Sequence, residues 1–207
     1  MLTHSEFSKA VMRGVQRANQ HAVNWSGGDV CAQDQGAEYL LTVEVGRELQ
    51  KAQNRGGAKG YVLLEAKARE LLRNGPSKRG RAASAIRAGG RIDVTVFDGQ
   101  YRPIGLVEVK RLSADGGGLA KDAARVAAIL RRMGKRANGT VRHAALATLR
   151  VVEADDISVV ANRIGRRIQS ALPGFRVRAL TTKAKCKLID DDRTWYSHAL
   201  CFTIHEK

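Results

Sequence analysis

The chain reads as an α/β protein with a mixed central β-sheet flanked by helices. Three observations predict it. Residues 90–111, GRIDVTVFDGQYRPIGLVEVKR, alternate apolar and polar side chains on both arms of a turn, the mark of a β-hairpin. Segments on either side of that hairpin carry apolar residues at helical spacing. A further strand-like run follows the second of those helices closely, and a strand–helix–strand unit defaults to parallel pairing with a right-handed crossover.

Taken in order, Ser5 to Ala22 predicts a helix with Phe7, Val11 and Val15 inward and Ser5 as its cap; Trp25-Ser-Gly-Gly ends it. Gly36 to Asn54 predicts a second helix. At about 100° per residue, Glu38, Leu41, Val45, Leu49 and Ala52 share one stripe, whereas Glu44 and Glu48 fall off it and are expected in solvent. Gly60 to Asn74 is rich in helix formers and is expected to be mostly helix, with a strand start at Tyr61 to Leu64 as the alternative. In the hairpin, Ile92, Val94 and Val96 take one face and Asp93 the other; on the second arm Glu108 and Lys110 share a face, opposite Val107 and Val109. Gly116-Gly117-Gly118 lacks the Walker pattern and reads as a hinge before a helix from about Leu119 to Met133. His143 to Val152 predicts the next strand, and Asp155 to Leu172 a helix stopped by Pro173-Gly174. Phe175 to Ile189 and Thr194 to His205 alternate around Asp190-Asp191-Asp192, a hairpin that extends the sheet or pads its edge. One domain is expected, with residues 1–35 an N-terminal helical extension, 36–152 the core and 153–207 a helix and C-terminal hairpin.

Charge narrows the function. A net charge of +16 over 207 residues, with a pI of about 10.4, calls for a polyanionic partner. The basic residues cluster. Lys78, Arg79, Arg81 and Arg87 lie in an acid-free run before the hairpin, Arg111 follows it, and Arg131, Arg132, Lys135 and Arg136 close the next helix. Such groups release counterions from a nucleic-acid backbone. Lys183, Lys185 and Lys187 share one strand face, as a phosphate-contacting row or a solvent side; Trp195 and Tyr196 stack on a base or pack. The three cysteines, Cys31, Cys186 and Cys201, show neither a disulfide framework nor zinc spacing. His4, His21, His143, His198 and His205 are scattered, with no catalytic spacing. Without a signal peptide or a membrane-length apolar run, a cytoplasmic protein is expected.

Asp93, Glu108 and Lys110 together place two carboxylates and an ammonium on rigid backbone, which suits a hard divalent cation and phosphodiester chemistry. Asp93 with Glu108-Val109-Lys110 resembles the PD-(D/E)xK nuclease superfamily, although Ile92 stands where that family often has proline. The order helix, strands, helix, strand over Gly36 to Val152 is that superfamily's core order. The resemblance implies a restriction-endonuclease-like core and Mg²⁺ or Mn²⁺ held by Asp93, Glu108, the Val109 carbonyl and a helix-borne acid, here Glu38 with Glu44 in reserve. It further implies that Lys110 orients or deprotonates the attacking water or steadies phosphate charge, leaving a 5′-phosphate and a 3′-hydroxyl. The partner expected is nucleic acid, DNA before RNA, with no membrane; a homodimer or membership of a larger complex stays open. The alternative function is a non-catalytic nucleic-acid-binding protein on the same scaffold.

Overall fold

The computed structural model describes residues 2–27, 38–57, 59–75, 80, 83–86, 89–110, 117–153, 157–182, 187–190 and 193–207, with the backbone alone described at 74, 117, 187–190 and 193. The elements are α1 (His4–Trp25), α2 (Glu38–Arg55), β1 (Tyr61–Lys67), α3 (Ala68–Asn74), β2 (Arg91–Phe97), β3 (Pro103–Val109), α4 (Gly117–Met133), β4 (His143–Val152), α5 (Ser158–Ala171), β5 (Phe175–Thr181), β6 (Lys187–Asp190) and β7 (Arg193–Glu206). Among the described residues, seven strands form one mixed sheet in the order β1-β2-β3-β4-β7-β5, with β6 also on β7. The strands β1, β2 and β3 are antiparallel neighbours, β4 runs parallel to β3 through the α4 crossover, and β7 returns antiparallel to β4.

Strand alternation splits the core into two. Leu106, Leu146 and Phe202 face α4 and α5, while Val107, Val109, Ala145 and Ala147 face α1 and α2. The layers are therefore helix, sheet, helix. The C-terminal hairpin extends the sheet, as one of the two expectations had it: β5 and β6 lie along one side of β7 and β4 along the other.

The segment expected to be mostly helix divides. Tyr61–Lys67 is strand, because pairing along β2 and the Gln50 side chain, which accepts from the Val62 N–H at 2.8 Å, supply partners no isolated helix would need. Helix α1 is capped by Thr3 rather than Ser5: Thr3 and Glu6 exchange hydrogen bonds in a capping box. Helix α5 begins at Ser158; Asp155, where it was expected to start, lies outside the described residues.

Glu44 and Glu48, expected in solvent, are buried at 4% and 3% exposure because α1 lies across α2. Arg13, Arg17 and Lys51 all reach Glu48, at 3.2, 3.2 and 3.0 Å, and His21 and Arg47 reach Glu44. Burial alone would raise the Glu48 carboxyl; the bonds from Lys51 and Arg13 and the charge of Arg17 hold it below its ordinary value. The crossing is close. A Cβ on Gly14 would stand 2.4 Å from Val45 Cα and 2.8 Å from the Glu44 carbonyl oxygen, so backbone must move. Gly14→Ala should lower the unfolding free energy by about 1–3 kcal/mol despite the roughly 1 kcal/mol alanine gains over glycine in a helix. Urea unfolding midpoints test this.

The histidines are not all scattered. His4 of α1, His143 of β4 and His205 of β7 meet on the α1 face, with His4 and His143 Nδ1 atoms 3.2 Å apart and the His4 and His205 ring centroids 4.1 Å apart. Burial and then Arg178 lower His4; burial, the His4 charge and neighbouring arginines lower His143 and His205 to about 4. The unfolded chain therefore binds more protons between about pH 4 and 6.5. The cluster's contribution to stability is complete above that window and is lost as pH falls through it. His4→Gln should lose less stability than wild type on acidification from about pH 7 to 5, read by denaturant titration at each pH.

Candidate active site

Strands β2 and β3 deliver the two expected carboxylates to one place. Val94 pairs with Val107, so Asp93 stands opposite Glu108 on the face turned to α4. Asp93 Oδ2 accepts from the Val109 N–H at 2.7 Å, fixing the carboxylate against the neighbouring strand. Glu108 is buried at 4% exposure and donates a side-chain hydrogen bond to Asp93. Burial, then the Asp93 charge, pushes Glu108 up to about 9, against a counter-pull from Arg125. Burial first, with Glu65 and Glu38 behind it, raises Asp93 as well, despite the bonds it accepts. The pair shares a proton at neutral pH because two anions this close and this dry repel.

Lys110 begins just beyond β3. Its Nζ lies 3.4 Å from Glu38 Oε1, so the first residue of α2 reaches the same end of the sheet. Glu38 is half-exposed there, rather than fully on the core-facing stripe. Burial pulls the Lys110 ammonium down, but Glu38, Asp122 and Asp93 outweigh it and raise its pKa. Lys110 thus stays charged at neutral pH, which fits it for holding anionic oxygen or orienting water and not for taking a proton.

Three residues join the group that sequence reading missed. Glu65 adopts φ of 58° in β1, and its charge acts on Asp93; Arg91 stands 4.0 Å from it. Asp122 on α4 acts on both Glu108 and Lys110. Arg125, one turn further along α4 and 8% exposed, places Nε 3.4 Å from Glu108 Oε1. Its signal in the sequence is a lone charge inside the apolar run AARVAAIL.

Among the described residues, no three His, Cys, Asp or Glu side chains already surround one point as a ligand set. The donor chemistry still fits a hard cation. Glu108 Oε1 is buried without a hydrogen-bond partner, and it stands beside a second carboxylate.

The predicted phosphate contacts divide. Lys78, Arg79, Arg81, Arg87 and Arg111 lie outside the described residues, as do Cys31, Lys183, Lys185, Cys186, Asp191 and Asp192. Arg131 donates to the Pro173 carbonyl at 3.3 Å and stacks on Phe175, Arg132 donates to the Gly80 carbonyl, and Lys135 and Arg136 are exposed in the turn after α4. The structure does not bring these four to the carboxylates. From Asp122 to Met133 the helix climbs about 16 Å at roughly 1.5 Å per residue, away from Glu108. Beside them a groove lined by Lys135, Arg136, Arg142, His205 and Lys207 opens at the far end of the sheet. Among the described residues no helix is long and apolar enough to cross a membrane. Compared with protein-family models, curated proteins and solved structures, the chain matches none of them.

Proposed function

We propose that the protein is a metal-dependent nuclease of PD-(D/E)xK type, acting on DNA in preference to RNA. The observation that carries this reading is the meeting of Asp93 and Glu108 on adjacent strands, with Lys110 two residues on and paired to Glu38. The order α2, β1 to β3, α4, β4 is also the core order that the resemblance implies.

Asp93 and Glu108 would hold Mg²⁺ or Mn²⁺, with the Val109 carbonyl and Glu38 as the further ligands that the resemblance implies. Such an ion, when bound, polarises the phosphate and lowers the pKa of bound water. Asp93 is oriented for its part by the Val109 N–H. Lys110, kept cationic by Glu38, steadies a non-bridging phosphate oxygen or aligns the water, and the products expected are a 5′-phosphate and a 3′-hydroxyl. Lys110→Ala should slow cleavage greatly without emptying the metal site.

Incubation of purified protein with supercoiled plasmid, linear duplex, single-stranded DNA and RNA tests the reading, in Mg²⁺, Mn²⁺ or EDTA. Cleavage that EDTA abolishes is the result expected. Binding without cleavage in any metal would favour the non-catalytic alternative.

Salt dependence reports where the strand lies. Neutralising Lys78, Arg79 and Arg81 together should flatten the plot of log affinity against log salt by about one unit or a little less for each phosphate no longer neutralised. Lys135→Gln with Arg136→Gln should do so only on duplexes long enough to span from Glu108 past the end of α4. Filter binding over a salt series measures both.

A further inference from the structure

We propose that Arg125 is a resident counter-cation of the carboxylate pair, whose charge beside Glu108 sets how tightly a divalent ion is held there. The proposal rests on the reading of Asp93 and Glu108 as metal ligands. Three observations carry it. Arg125 is 8% exposed on a helix whose apolar face, with Leu119, Ala123, Val126 and Leu130, is buried beside it, so its charge is largely kept from water. Its Nη2 donates to the Arg91 carbonyl at the start of β2, which anchors the guanidinium between α4 and the strand that bears Asp93. Its Nε faces Glu108 Oε1 at 3.4 Å, yet neither atom has a hydrogen-bond partner.

The anchor on Arg91 holds the guanidinium in place while its field still reaches the carboxylates. Glu108 does not depend on Arg125 for its position, since β3 and the bond to Asp93 already fix it. The dominant effect of Arg125 on an incoming cation is therefore repulsion. A divalent ion brings two charges into that field, so removing the guanidinium charge favours its binding. Buried as it is, Arg125 touches no substrate, whereas Lys110 is a cation of the site that substrate can reach.

The test is Mn²⁺ affinity, read from the free-ion signal in electron paramagnetic resonance, for wild type, Arg125→Met and Arg125→Lys, without nucleic acid. Arg125→Met should bind Mn²⁺ at least about tenfold more tightly than wild type. Its metal-free melting temperature should be lower, and metal should raise that temperature by more than it does in wild type. Arg125→Lys, which keeps the charge but not the fork, should stay within about threefold of wild type. Equal or weaker binding by Arg125→Met, or a shift of equal size in Arg125→Lys, would overturn the proposal while leaving the nuclease reading in place. Should Arg125→Met fail to fold, the wild-type Arg125 Nε–H resonance, assigned by its loss in Arg125→Lys, decides. It must move when Mg²⁺ saturates the protein, and a fixed resonance with Mg²⁺ bound would overturn the role. A wild type that binds neither ion would overturn the metal-site reading and this proposal together.

Discussion

Asp93→Asn should abolish cleavage while leaving nucleic-acid binding intact or strengthened. The amide oxygen can still accept from the Val109 N–H, so β2 and β3 keep their register and the protein should fold. What is lost is the anionic oxygen beside Glu108. Groups that merely support a metal ligand typically contribute about 10- to 100-fold to affinity or activity, so loss of a direct ligand should cost more than about 100-fold. Affinity for phosphate should not fall, because one charge that repels the backbone is gone. Single-turnover cleavage alongside filter binding separates the two effects. A variant that cleaves like wild type in contaminant-free preparations would remove Asp93 from the site.

Glu108→Gln should be inactive as well, and its stability should change with pH in a direction that marks a functional site. The folded protein holds Glu108 at about 9 against an ordinary value near 4.5. Between those values the folded state binds more protons than the unfolded one, so this group makes the metal-free protein less stable as pH rises. Glutamine removes that slope. From about pH 5 to 8 the variant should gain on wild type by about 1–3 kcal/mol, the usual range for a buried polar group without full compensation. Saturating Mg²⁺ should restore the wild type and leave the variant unchanged. Urea titrations across pH, with and without metal, measure this. A parallel pH dependence would mean that Glu108 is not held under strain.

Much of this site was legible in the sequence because strands have a period of two. Once residues 91–97 and 103–109 are read as a hairpin, Asp93 and Glu108 can meet on one face, with Lys110 beyond them. The sequence places Glu38 on the apolar stripe of its helix, yet it stands half-exposed, and its place at the helix start is what brings it to Lys110. The rest needed tertiary information. Glu65 lies in a segment whose helix formers were outweighed by pairing to β2. Asp122 and Arg125 face the pair only because α4 crosses the sheet at that strand, which periodicity alone does not specify. Glu44 and Glu48 look solvated until α1 brings Arg13, Arg17 and His21 across them. The basic end of α4 was visible as charge, but its distance from Glu108 follows only once helix rise and crossover direction are combined.

The central claim is that Asp93 and Glu108 jointly bind a divalent ion. Its most direct measurement is an anomalous difference map from crystals grown with Mn²⁺ at neutral pH. A peak about 2.0–2.6 Å from a carboxylate oxygen of each residue is the expected result. An ordered site with no peak, with Glu108 still donating its proton to Asp93, would contradict the account.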